Sequence, residues 1–153
     1  MKRIHLFGLM LMGIMGSLFA QPGHHIELTV AGMEDQDVIL AHYFGDQQMA
    51  VDTVLATSGK AVFSGPGDLP KGIYLMYFPE TQAYFECIID ADQHFSLTTD
   101  IEDFYANMEV EGSIDNKVFF EQNIYLASMT EQMQALQEKG RQASPEDQEA
   151  IKQ

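Results

Sequence analysis

The chain has 153 residues, of which 46% are hydrophobic and 20% charged, which gives material for one packed core and argues against disorder. Twenty-three acids stand against eight bases, a net charge of −15 that repels phosphate backbones and argues against nucleic-acid binding and docking on anionic lipid. One cysteine, Cys87, leaves no internal disulfide and no C-x-x-C redox pair within these residues.

The N-terminus reads as an export signal. Lys2 and Arg3 precede an apolar run from Ile4 to Phe19 that ends at Ala20-Gln21. A basic end, a short greasy stretch and a small residue at the cut form the three-part pattern of a secretory signal. The run is short for a membrane span, which needs about 20 apolar residues. Residues 1–20 are therefore expected to be removed, leaving a mature chain from Gln21 with no stable membrane span. No cysteine follows the run to carry a lipid. The expected location is the periplasm or cell envelope of a Gram-negative bacterium.

From His25 to Val110 the hydrophobic pattern has period two. It is clearest in Ile26–Val30, Val38–Phe44, Val51–Leu55, Ala61–Phe63, Ile73–Phe78, Tyr84–Ile89 and Phe95–Thr98. Successive strand side chains point to opposite faces, so alternation means one face buried and one wet. Turn residues separate the runs: Gly32, Gly45-Asp46, Ser58-Gly59, Gly65-Pro66-Gly67, Pro70-Lys71-Gly72 and Asp90-Ala91-Asp92. The spacing predicts a mainly β module over residues 21–112, an antiparallel β-sandwich or barrel of about seven or eight short strands.

At Gly112-Ser113 the period changes. Ser113 is a good N-cap and Asp115 lies in the first turn, where the helix dipole favours an anion. Phe119, Gln122, Leu126, Met129, Met133 and Leu136 then recur at steps of three and four, a heptad-like stripe that predicts a long helix with an interface along one face. Lys139 and Gly140 are expected to close it. Ser144-Pro145-Glu146-Asp147 reads as the start of a second helix, so residues 113–153 form a helical connector expected to continue into a longer polypeptide.

No convergent catalytic set stands out. Cys87 shares a strand face with Phe85 and Ile89, a setting that raises a thiol pKa and makes it inert. The histidines (His24, His25, His42, His94) form no H-x-H or H-x-x-x-H pair for a metal. Counting a calcium loop from Asp90 puts Phe95 at the glycine position and Ile101 at the glutamate position, so the match fails. Gly65 to Gly72 lacks the Gly-Lys-Ser/Thr order of a phosphate loop, and no G-x-S-x-G elbow occurs. No catalytic, cofactor-binding or metal residues are assigned. The aromatics around Tyr74, Tyr77 and Tyr84 are a candidate ligand surface, with strand-core packing as the plainer reading.

The motifs in series resemble a family. They are Val38-Ile-Leu-Ala-His-Tyr-Phe44, Val51-Asp-Thr53, Gly59-Lys-Ala-Val-Phe-Ser-Gly65, Gly72-Ile-Tyr74, Phe85-x-x-Ile-Ile-Asp90, Phe95-Ser-Leu97 and Glu111-Gly-Ser113 with Asn116 and Phe119. Together, from Ile26 to Phe120, they resemble the domain of unknown function 4369, an exported β module of the Bacteroidetes. That module commonly precedes a thioredoxin-like thiol-disulfide oxidoreductase domain. The resemblance implies a non-catalytic N-terminal module that positions or dimerises a downstream redox domain or binds client proteins, with a homodimer through the helix as one arrangement. The C-x-x-C of such partners is absent here, so no catalytic residue is carried over. The alternative is a stand-alone envelope module for ligand binding or adhesion.

Overall fold

The computed structural model describes residues 23–45 and 47–142. The expected export signal and the expected second helix fall outside the described residues. Eight strands run in chain order: β1 (His24–Ala31), β2 (Gln36–Phe44), β3 (Gln47–Ala56), β4 (Lys60–Gly65), β5 (Gly72–Phe78), β6 (Ala83–Ile89), β7 (His94–Asp100) and β8 (Glu109–Glu111). One long helix, α1 (Ile114–Gln142), follows.

The strands form two four-stranded sheets, ordered β4-β1-β7-β8 and β3-β2-β5-β6. The alternating apolar residues of both sheets meet in one core, as the periodicity requires. Ile26, Leu28, Leu97 and Phe63 come from the first sheet, and Val38, Leu40, Met76, Phe85, Cys87 and Ile89 from the second. The result is a sandwich. One pairing departs from the antiparallel expectation: β1 and β7 run parallel, from His25 opposite His94 to Ala31 opposite Asp100. Parallel neighbours need a long crossover, and here the whole β2–β6 segment is that crossover.

The chain passes between the sheets at the β3–β4 turn. Ser58 and Gly59 both have positive φ (52° and 76°), and Thr57 and Lys60 exchange backbone hydrogen bonds at 2.9 and 3.1 Å. Two positive φ angles in a two-residue loop are the mirror-type turn that matches strand twist. A Cβ on Gly59 would stand 2.5 Å from the Val30 carbonyl oxygen, so the close approach of β1 requires glycine.

Helix α1 begins as the cap predicts. The Asn116 backbone N–H donates to Ser113 Oγ at 3.3 Å, and Asp115 sits in the first turn. It does not end at Gly140 but continues through Gln142. Lys139 and Arg141 occupy the last described turn, where cations suit the carbonyl end of the dipole.

Candidate functional site

The two sheets have four edges, and the β6 edge is closed by side chains. The Ile88 N–H donates to Asn116 Oδ1 at 2.7 Å, and Asn116 Nδ2 donates back to the Ile88 carbonyl at 2.7 Å. One side-chain amide thus stands in for a neighbouring strand. The same Nδ2 also donates to Ser113 Oγ at 3.0 Å, so the N-cap serine fixes the amide that fixes the sheet. Asn116 is fully buried. Farther along the edge, the Glu86 N–H donates to the Tyr105 hydroxyl at 3.4 Å. These contacts take up the Ile88 N–H and carbonyl and the Glu86 N–H, backbone groups that on a bare edge are a template for another chain.

Phe120, one turn beyond Asn116, completes the joint. Its ring meets Phe85 at 6.1 Å, Tyr105 at 5.8 Å and Phe119 at 5.4 Å, and Phe104 stacks on Phe78 at 5.0 Å. Strand, loop and helix are thereby locked in one aromatic cluster, worth a few tenths to about 1.5 kcal/mol per ring pair beyond area burial. Asn116 and Phe120 are the buried residues of α1. The chain through Phe120 thus packs against the sandwich, so the first turns of α1 are joined to the β module.

The sequence-predicted helix interface divides at this joint. Phe119 is half-buried and packs against the core, so it does not belong to an outward stripe. Leu126, Met129, Met133 and Leu136 lie exposed at 52%, 46%, 58% and 68%. Past Phe120 the helix continues for 22 residues, about 33 Å at 1.5 Å each. A groove of about 500 Å³ separates its inner face (Asn123, Ile124, Ala127) from the loop at Asp103, Tyr105 and Ala106.

The predicted tyrosine surface also divides. Tyr74 is 1% exposed, its hydroxyl donates to the Pro70 carbonyl at 2.7 Å, and it belongs to the core rather than to any ligand surface. Strand parity is the reason: Tyr74 and Tyr77 are three apart and must point to opposite faces. Tyr77 is half-buried and Tyr84 exposed, and they stand opposite each other on β5 and β6. Two residues not singled out by sequence join them on this outer face. From β2, the Tyr43 hydroxyl reaches across β5 and donates to Glu86 on β6 at 3.2 Å. Partial desolvation comes first among the causes that push the Tyr43 hydroxyl above its ordinary pKa, and the Glu86 carboxylate adds to it. Leu75, opposite Ala41 and Glu86, is buried although it lies outside the main core. Leu55 and Ile73 are exposed on neighbouring strands.

The chemistry-bearing residues are engaged locally. Cys87 is fully buried and its thiol is pushed up to about 12, first by burial and then by Glu86. The His24 ring nitrogen bonds the Gly67 carbonyl, His94 bonds the Gly23 carbonyl, and His25 meets Glu27 at 2.9 Å. His25 and His94 stack at 6.4 Å, and His42 tilts against Tyr74 at 5.6 Å. Asp100 and Asp103 accept backbone N–H groups of their own loop. Among the described residues no group of three His, Cys, Asp or Glu side chains converges on a metal position. No described helix is long and apolar enough to cross a membrane.

A two-sheet β-sandwich with a helix clamped to one sheet edge is thus the class of module the geometry defines. The family model described as Domain of unknown function (DUF4369) matches residues 24–119, more than half of the chain, and the protein belongs to that family. The match ends beside Phe120 and includes both Ser113 and Asn116. No curated protein and no solved structure matches the chain.

Proposed function

We propose that this chain is a non-catalytic scaffold module of the bacterial envelope, exported by its N-terminal signal, that holds α1 at a fixed angle and so positions a downstream thioredoxin-like thiol-disulfide oxidoreductase domain. The observation that carries this reading is the Asn116 clamp. A helix needs no such anchor to form, but it needs one to leave a sheet in a fixed direction. The inert Cys87 and the local engagement of the histidines and acids favour a supporting role. The redox chemistry would then lie in residues beyond these 153.

Two measurements test this. The mature chain assayed for insulin reduction should give no turnover, and clear turnover would overturn the non-catalytic role. The native protein isolated from its own cells should start at Gln21, exceed this chain in mass and carry a C-x-x-C pair downstream. A native protein without such a pair would overturn the redox context.

A second reading has its own observation, the outer face where Tyr77 and Tyr84 pair beside the Tyr43–Glu86 hydrogen bond. Aromatic faces next to a carboxylate suit sugars or peptides in an envelope binding module. A glycan or peptide array should then lose binding in Tyr84→Ala and Tyr77→Ala but keep it in Ile124→Ala. An array with no binder would remove this reading.

A further inference from the structure

Leu75 lies on the outer face of the second sheet, since its strand neighbours Tyr74 and Met76 are in the core. It is nonetheless only 2% exposed. Ala41 and Glu86 stand opposite it on either side, and the Tyr43 hydroxyl reaches across its strand to Glu86 Oε1 at 3.2 Å. Tyr84 shares the Glu86 side of β6, and Tyr77 stands opposite Tyr84 on β5. Three phenol side chains thus stand around one carboxylate over an apolar floor.

That carboxylate has no basic partner among the described residues. The four strands of this sheet carry three acids, Asp37, Asp52 and Glu86, and neither lysine nor arginine. The described ion pairs join Lys71 to Asp90, Arg141 to Glu138 and His25 to Glu27, and none reaches Glu86. Its one described side-chain hydrogen bond is accepted at Oε1, from a neutral phenol. Two neighbouring hydroxyls register the charge. Tyr43, and Tyr105 which accepts the Glu86 N–H, are each held above the ordinary phenol pKa. Desolvation is the first cause for both, and the Glu86 charge adds to each. A half-buried carboxylate without a base favours a cation brought from outside.

We propose that this surface binds the guanidinium group of an arginine presented by a basic protein segment, its N–H groups meeting Glu86 Oε2 while its plane lies on the Tyr84 ring. The proposal rests on the second reading above, the outer face as a ligand surface, and names its ligand. Charge complementarity selects the class. A neutral sugar would leave the carboxylate unanswered, and calcium or magnesium would need about six oxygen ligands where one carboxylate stands. Geometry selects arginine over lysine. A guanidinium is planar, weakly hydrated and stacks on aromatic rings, whereas an ammonium is compact and strongly hydrated. Tyr84 is 52% exposed, so its ring is open to such stacking. The net charge of −15 draws basic segments toward the whole molecule, and Glu86 with its phenols gives them a place to stop.

The test is an NMR titration of the isotope-labelled mature chain with the blocked peptide acetyl-Ala-Val-Arg-Val-Ala-amide, and with lysine or glutamine in place of the arginine. One exposed site of this size should bind with a dissociation constant on the order of 1 mM. Saturable shifts are expected at the amides of Tyr77, Tyr84 and Glu86. The lysine peptide should bind about threefold more weakly and the glutamine peptide about tenfold. Glu86→Gln should weaken the arginine peptide about fivefold, and Glu34→Gln, on the β1–β2 loop, by less than about twofold. Tyr84→Leu should erase the preference for arginine over lysine. Equal losses in Glu34→Gln and Glu86→Gln would show diffuse attraction to an acidic surface and overturn the site. Equal binding of the glutamine and arginine peptides at these residues would overturn the cation and leave the ligand-surface reading standing. A face that binds glycans on the array but no arginine peptide would overturn this proposal alone, and a face that binds neither would remove both.

Discussion

Asn116 holds Ile88 by both its N–H and its carbonyl, at 2.7 Å each, across a sequence separation of 28 residues. This pair joins the helix to the sandwich and closes the β6 edge in one contact. Ordinary helix residues meet a sheet through apolar packing, which allows the helix to slide. A two-point amide bond does not, because a shift of an ångström breaks both hydrogen bonds.

Asn116→Ala should leave two backbone groups of Ile88 buried without partners. The expected cost is about 2–4 kcal/mol, from one to a few for each orphaned group. Urea unfolding followed by circular dichroism measures it. Asn116→Gln should recover little, because its extra methylene moves the amide off the strand.

Phe120→Ala should open a cavity among Phe85, Tyr105 and Phe119 and cost about 3–5 kcal/mol, the range for large aromatic truncations. Ile124→Ala, one turn farther along an exposed stretch, should change stability by less than about 0.5 kcal/mol. A comparable loss at both positions would mean that the sandwich extends farther along the helix than the joint described.

The Cys87 thiol should be inert to a thiol reagent in the native protein at pH 8 and react at once in denaturant. Its folded pKa of about 12 lies above the ordinary value of 9.0, so between these values the folded state holds a proton that the unfolded state has lost. The sign follows: Cys87 lowers stability as pH rises from 9 toward 12. Unfolding midpoints at pH 8 and pH 10.5 should fall farther apart in the wild type than in Cys87→Ala. At pH 8, Cys87→Ser should be less stable than Cys87→Ala, because the hydroxyl would be buried in an apolar core.

Gly112→Ala should destabilise by more than about 1 kcal/mol. The residue has a φ of +85°, and an added Cβ would stand 2.6 Å from the His94 carbonyl oxygen and 3.1 Å from Phe95 Cα. Those atoms are backbone of β7 and have little freedom to give way. The same approach brings Ser113 to the position from which it caps α1 and holds Asn116.

Strands were legible in the sequence wherever apolar and polar residues alternate, as in Ile26-Glu27-Leu28-Thr29-Val30. They were legible as strands but not as faces where polar residues are missing. Ile73 to Phe78 contains none, so parity separates Tyr74 from Tyr77 without telling which of them is inside. The parallel β1–β7 pair was not legible, because it joins segments about 70 residues apart and nothing in either strand records the direction of its neighbour. Phe119 and Phe120 are adjacent, and a step of three or four from either one continues the helix pattern. The stripe was therefore started at Phe119, on a ring that packs inward, whereas its exposed apolar residues begin at Leu126. Asn116 was visible only as a motif residue. A polar residue in a first helical turn reads as solvated, and its role depends on a strand edge that sequence does not place beside it.

The most direct test of the scaffold account is the width of the distance distribution between nitroxide labels at Lys60→Cys and Gln137→Cys, in a Cys87→Ala background diluted with unlabelled chain. Both sites are exposed, one on the sandwich and one near the far end of α1. The account predicts a single narrow distance that broadens markedly when Asn116→Ala is added. A distribution already broad with Asn116 intact would show that the helix is not held at a fixed angle, and would contradict the positioning role.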